Sequence, residues 1–175
     1  MVGVGGCLPA RLVSNDELAK TVDTSDEWIQ QRTGIKQRYL VEDERTSDLA
    51  VGAAKEALEH AGISADDIDI IVLATTTPND TFPSTASIVQ KELGAFNAFA
   101  FDVQAVCAGF VYALGVAESL LKIGQGKKAL VIGAESFSKL LDWDDRTTCV
   151  LFGDGAGAVI LEAAAPADDW GVLSS

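Results

Sequence analysis

The sequence is short of several things that enzyme chemistry often leans on. It holds one histidine, three cysteines and 13 basic residues against 26 acidic ones. A single histidine, His60, leaves little material for a Ser-His-Asp or Cys-His pair built within the chain. The cysteines (Cys7, Cys107, Cys149) are odd in number, widely spaced and form no CxxC, which argues against zinc and against a disulfide framework. That usage fits a reducing cytoplasm. A net charge of -13 disfavours nucleic acid, which selects a basic stripe. There is no run of about eighteen uncharged apolar residues, so no membrane span is expected. The opening MVGVGGCLPARL lacks the basic n-region of a secretory signal.

What is present is an apolar chain of 175 residues, 48% hydrophobic, long enough for one domain with its own core. Strong apolarity under an acidic balance fits an Ala- and Gly-rich α/β core with a solvating surface. It fits equally an apolar surface meant for a partner.

VGVGG reads as a short strand. Helices are expected from Ser14 to Val22 and from Asp23 to a stop at Gly34, with Ser25 or Thr24 as N-cap. Another runs from Thr46 to Ala61, where Leu49, Ala53, Ala54, Ala57, Leu58 and Ala61 share a face. IDIIVLATTT is apolar on both sides, as in a parallel sheet. Ser84 to Leu93 reads as helix and Ala98 to Val103 as strand. VCAGFVYALGVAESLLKIG is a long apolar helix expected to be buried on most sides. KKALVIGAE is a strand, and VLFGDGAGAVILEA reads as two strands around a Gly-rich turn. The alternation predicts an α/β layered domain, α-β-α, with a mixed, mostly parallel sheet. Both ends read as abrupt: the chain starts inside an apolar run, and WGVLSS looks like a strand or linker cut short.

Cys107 stands out by position, just past a buried strand and a short connector, where the long helix starts. A thiol there meets unpaired amides and the positive end of the helix dipole, and both favour thiolate. Ala108 and Gly109 let a substrate approach closely. The setting resembles the elbow used in acyl transfer, although on position alone a buried structural cysteine is the more ordinary reading. Cys7 and Cys149, in or beside strands, read as structural. His60 at a helix C-terminus is explained by that charge. Gly153 to Gly157 lacks GK[ST] and no helix pattern follows it, so it is no phosphate loop. Asp142, Asp144 and Asp145 form an acidic, solvated loop, and no metal site is expected. Arg32, Lys36 and Arg38 cluster after Trp28, either as a solvated face or as a docking point for an acidic partner.

Three stretches carry a resemblance: TSDEWIQQRTGIKQR (24–38), AFDVQAVCAGF (within 99–110) and DDRTTCVLFGDGAGAVIL (144–161). Their residues, order and spacing resemble the N-terminal half of the beta-ketoacyl-acyl-carrier-protein synthase III family, thiolase-fold condensing enzymes of fatty acid synthesis. The resemblance covers essentially the whole chain. It implies that Cys107 takes an acetyl or other short acyl group from coenzyme A, then condenses it with malonyl-acyl-carrier protein. No cofactor is implied, acetyl-coenzyme A being a substrate. Trp28 and Arg146 match the pair that sandwiches adenine, Arg32 a residue near the phosphates, and Thr24 one near the base. Phe82 matches a phenylalanine that reaches across a homodimer interface to bound the acyl pocket. The family also needs a His and an Asn from a second, similarly folded half, and no match for either is found in this sequence. The expectation is therefore residues 1–175 as one thiolase-like domain, with the C-terminal half missing. Two other readings are a non-catalytic dimerisation or ligand-binding half, and a condensing enzyme of polyketide-like metabolism.

Overall fold

A computed structural model describes residues 1–164. The WGVLSS stretch lies outside the described residues. The described residues form seven strands and five α-helices. They are β1 (Gly3–Cys7), β2 (Arg11–Ser14), α1 (Asn15–Leu18), α2 (Asp26–Thr33), β3 (Gln37–Leu40), α3 (Thr46–Ala61), β4 (Ile70–Ala74), α4 (Thr85–Leu93), β5 (Phe99–Val103), α5 (Gly109–Lys122), β6 (Lys128–Glu135) and β7 (Gly155–Glu162).

Five strands form the main sheet in the order β1-β7-β6-β4-β5. β4 pairs parallel with both β5 and β6, while β7 runs antiparallel to β6 and β1. Four strands thus share one direction and β7 alone runs counter, so the sheet is mixed. The apolar run of β4 is explained by a core on each side. Ile71 and Leu73 enter the cluster under α3 and α4, while Ile70, Val72 and Ala74 enter the cluster under α5. All five residues are buried, and the result is three layers, α-β-α.

The expected helix starts rest on visible caps. Ser25 Oγ accepts from Trp28 N and Ser84 Oγ from Ser87 N, each satisfying an amide that has no partner within its helix. Gly34 closes α2 in the left-handed region at φ 73°, a conformation costly for a residue with a Cβ.

Three expectations are corrected, and one pair of strands is added to them. The helix expected over 14–22 is a single turn, α1, capped by Ser14. Residues 151–154 form no strand, and the Gly-rich segment is not a turn: Gly155 and Gly157 lie inside β7. Here Gly157 pairs with Gly6 on one side and Gly133 on the other, a bare row across the sheet. β2 and β3 form a two-stranded antiparallel ribbon that the RTGIKQRYL segment did not signal. Finally, α5 buries Ala113, Ala117 and Leu121 but exposes Val111 and Tyr112, so it is covered on one side only.

Candidate active site

Cys107 sits in a 3-10 turn, Val106–Ala108, that joins the end of β5 to α5. Such turns commonly lead into an α-helix. The residue before it is strained: Val106 has φ 48°, and a β-branched side chain is an outlier there. Cys107 is exposed, Cys7 half-buried and Cys149 buried, and none is paired. Burial is the largest cause pushing the Cys7 and Cys149 thiols above their ordinary value, with Glu56 adding at Cys7 and Asp145 at Cys149.

A cavity of about 350 Å³ opens at Cys107. Its walls include Val106, Phe110 and Glu135, and its floor is bare strand backbone at Gly133, Gly155 and Gly157. The three glycines bring strand backbone close to one side of the cavity, with the Phe110 ring lying against Gly133. Phe110, Gly133 and Gly157 also line a second, apolar cavity of about 410 Å³ beside Val4 and Val159.

Glu135 was not singled out in the sequence. Its Oε1 accepts from Thr76 N at 2.7 Å and its Oε2 from the Thr77 hydroxyl at 2.6 Å. Thr77 Oγ1 in turn accepts from Ser136 N, and Ser136 Oγ lies 2.9 Å from Thr46 Oγ1. This network ties together the carboxyl ends of β4 and β6, the usual position of a ligand crevice in open α/β sheets. A glutamate closing the apolar run of KKALVIGAE is the signal that could have found it.

The other expected residues gather elsewhere. Trp28, half-buried on α2, has the Arg32 guanidinium carbon 4.3 Å from its ring centroid and that of Arg146 at 4.7 Å. Arg32 Nη1 also donates to Trp28 O at 3.4 Å, one turn back on the helix. Arg146 Nη1 donates to Asp23 at 3.0 Å. Thr24 Oγ1 is enclosed and has no partner among the described residues. Beneath them Leu18, Val22, Ile29, Cys149 and Val150 form a small core that Trp28 and Trp143 pack against. Asp145 keeps the Arg146 loop in shape, accepting from Thr147 N, Thr147 Oγ1 and Thr148 Oγ1. Those bonds hold its carboxyl below the usual aspartate range. Phe82 is 83% exposed in the loop between β4 and α4.

Two basic residues of the suggested docking cluster need separating from the third. Arg32 and Lys36 are exposed, but Arg38 is buried at 6%. On β3 the alternating side chains of Arg38 and Leu40 face inward, and Arg38 Nη2 donates to Val150 O at 3.1 Å. Arg38 is structural, and its burial pulls the guanidinium below the ordinary arginine value. His60 accepts from Val4 N through Nδ1 at 3.1 Å and does not line either cavity.

Residues 101–175 match the family model for 3-oxoacyl-[acyl-carrier-protein] synthase III. Beta-ketoacyl-[acyl-carrier-protein] synthase III of Ehrlichia canis (strain Jake) is 59% identical across 100% of this chain and 55% of its own length. The enzyme of that name from Erythrobacter litoralis is 65% identical over 93% of this chain and 51% of its own length. The crystal structure of 3-oxoacyl-[acyl-carrier-protein] synthase III from Aquifex aeolicus VF5 superposes with a TM-score of 0.91 at 52% identity. That match covers 93% of this chain and 53% of the Aquifex chain. Along nearly its whole length the chain is similar to enzymes of the beta-ketoacyl-acyl-carrier-protein synthase III family. It spans about half the length of the synthase III relatives it matches. The fold is accordingly thiolase-like. Over that span, the three stretches that carry the sequence resemblance form helix α2 with Trp28, the turn at Cys107, and the Arg146 loop running into β7.

Proposed function

We propose that this chain carries the acyl-accepting site of a condensing enzyme of type II fatty acid synthesis, with Cys107 as nucleophile. One observation carries the reading: an exposed cysteine on a strained elbow, opening onto a cavity floored by bare strand, in a chain about 60% identical to synthase III enzymes. The sulfur attacks the carbonyl of an acetyl- or short-acyl-coenzyme A, the new thioester forms, and the coenzyme A thiolate leaves and takes up a proton. In the second step malonyl-acyl-carrier protein loses carbon dioxide. Its carbanion attacks the acyl carbonyl, a 3-ketoacyl thioester forms on the carrier, and Cys107 departs as thiolate. The chain's one histidine is committed to Val4, so decarboxylation draws on a His and an Asn outside these residues.

Trp28 is the platform for adenine, with Arg146 as its second wall, Arg32 toward the phosphates and Thr24 toward the base edge. Stacking on an indole and a guanidinium plane suits a purine. Thr24 Oγ1 is a buried hydroxyl whose hydrogen bond is still to be made. Phe82 belongs to a homodimer interface, where it bounds the acyl pocket of a second copy. A ring that is 83% exposed in the loop between β4 and α4 is at home against protein. Three unpaired thiols support reading the compartment as a reducing cytoplasm.

The test is acylation. The intact protein, incubated with isotopically labelled acetyl-coenzyme A and mapped by mass spectrometry, should carry the label on Cys107, and Cys107→Ala should carry none. A protein that binds coenzyme A without ever acquiring the label is a ligand-binding module, and the catalytic assignment then fails.

A further inference from the structure

We propose that Asp23 sets how readily the nucleotide seat opens, by holding Arg146 shut against Trp28. The inference rests on reading Trp28 and Arg146 as the two walls around adenine.

The spacing is what requires an opening step. A planar base between two stacking partners needs two van der Waals separations, roughly 7 Å from wall to wall. The Arg146 guanidinium carbon is 4.7 Å from the Trp28 centroid. The seat is therefore filled by one of its own walls, and a base enters only when Arg146 lifts away. Arg32 is less free to yield, because it lies on the same helix and donates to Trp28 O.

What moves is the Arg146 side chain and not its loop. Asp145 accepts three hydrogen bonds from Thr147 and Thr148, which fixes the backbone on the far side of Arg146. Among the described residues, the ion pair that holds Arg146 in place is the one to Asp23 at 3.0 Å. Asp23 comes from the connection between α1 and α2 and is 97% exposed, so it contributes nothing to a core. An exposed pair of this kind is weak and sensitive to salt, which is what a latch opened by a ligand's binding energy requires. A stronger pair would cost more affinity.

Asp23 also adds negative charge near a ligand that carries phosphates, so the experiment separates latching from repulsion. Binding of coenzyme A and of uncharged adenosine is measured for the intact wild type, Asp23→Asn, Asp23→Glu and Trp28→Ala. Removing the carboxylate should tighten both ligands alike, by about two- to fivefold given the weakness of exposed pairs. Asp23→Glu should return the wild-type values, and about 0.5 M salt, which shortens the Debye length to roughly 4 Å, should close the gap. No change in Asp23→Asn, weaker binding, or tightening confined to coenzyme A overturns the latch. Trp28→Ala binding coenzyme A as well as wild type overturns the adenine seat itself, and the latch with it.

Discussion

At the residue scale, the position most open to test is Val106. A left-handed conformation costs an L-residue roughly 1–2 kcal/mol, while glycine costs the unfolded chain about 0.5–1 kcal/mol in entropy. Val106→Gly should therefore leave stability unchanged or raise it by up to about 1 kcal/mol, read from the urea midpoint. Acylation of Cys107 should slow in the same variant, because the turn that presents the sulfur loses its constraint. An unchanged acylation rate would mean that the strain is incidental. The thiols give a second, pH-dependent test. Cys149 is buried and its folded pKa lies above the unfolded value of 9.0. The folded state thus keeps its proton longer than the unfolded state. Its contribution is fully present below the unfolded pKa and is lost as pH rises from there toward the folded one. Stability should decline above about pH 9, and less so in Cys149→Ala once its baseline loss is subtracted. Alkylation of the native protein should reach Cys107 well before Cys149.

At the element scale, the packing of β1 on α3 separates two neighbouring glycines. A Cβ on Gly5 would collide with Ala53 O and Ala57 N of α3, whereas one on Gly6 would come no closer than 3.8 Å, to Ala156 O. Both are strand positions, so intrinsic preference is the same and the difference is steric. Gly5→Ala should destabilise by about 2–3 kcal/mol and Gly6→Ala by less than about 0.5 kcal/mol, measured by denaturant unfolding. Equal losses would mean that α3 does not sit on bare backbone. The same region shows why so much of the fold was legible. Apolar periodicity with Gly62 as stop delimits α3, and a two-sided apolar run marks β4, because burial on each face leaves its own period in the sequence. β2 and β3 left no such trace, since Arg11, Leu12 and Gln37 are exposed and Arg38 is buried against the usual preference. Gly155 and Gly157 misread as a turn for a related reason. Glycine marks close approach as well as chain reversal, and only the pairing with Gly6 and Gly133 decides between them.

At the scale of the whole molecule, composition left open whether apolar character served a core or a partner, and the core use is realised. The two cores fill each side of the sheet, yet Phe82, Val111 and Tyr112 remain more than half exposed. Charge was harder to place. A net charge of -13 repels an acidic carrier protein unless a local basic patch offsets it, and sequence proximity grouped Arg32, Lys36 and Arg38 as that patch. Burial divides them: Arg32 stacks on Trp28, Arg38 bonds Val150 O inside the fold, and Lys36 alone stays exposed without such an engagement. The two charge reversals therefore belong to different experiments. Lys36→Glu should leave the melting temperature and coenzyme A-dependent acetylation of Cys107 unchanged. It should lower turnover with the carrier protein by about three- to tenfold at low ionic strength, and the difference should shrink as salt screens the encounter. Arg38→Glu buries a reversed charge beside Cys149 and should cost on the order of 3–5 kcal/mol, failing in both assays through loss of fold. If Lys36→Glu depressed the two reactions equally, the residue would be acting at the acyl site and the carrier would dock elsewhere.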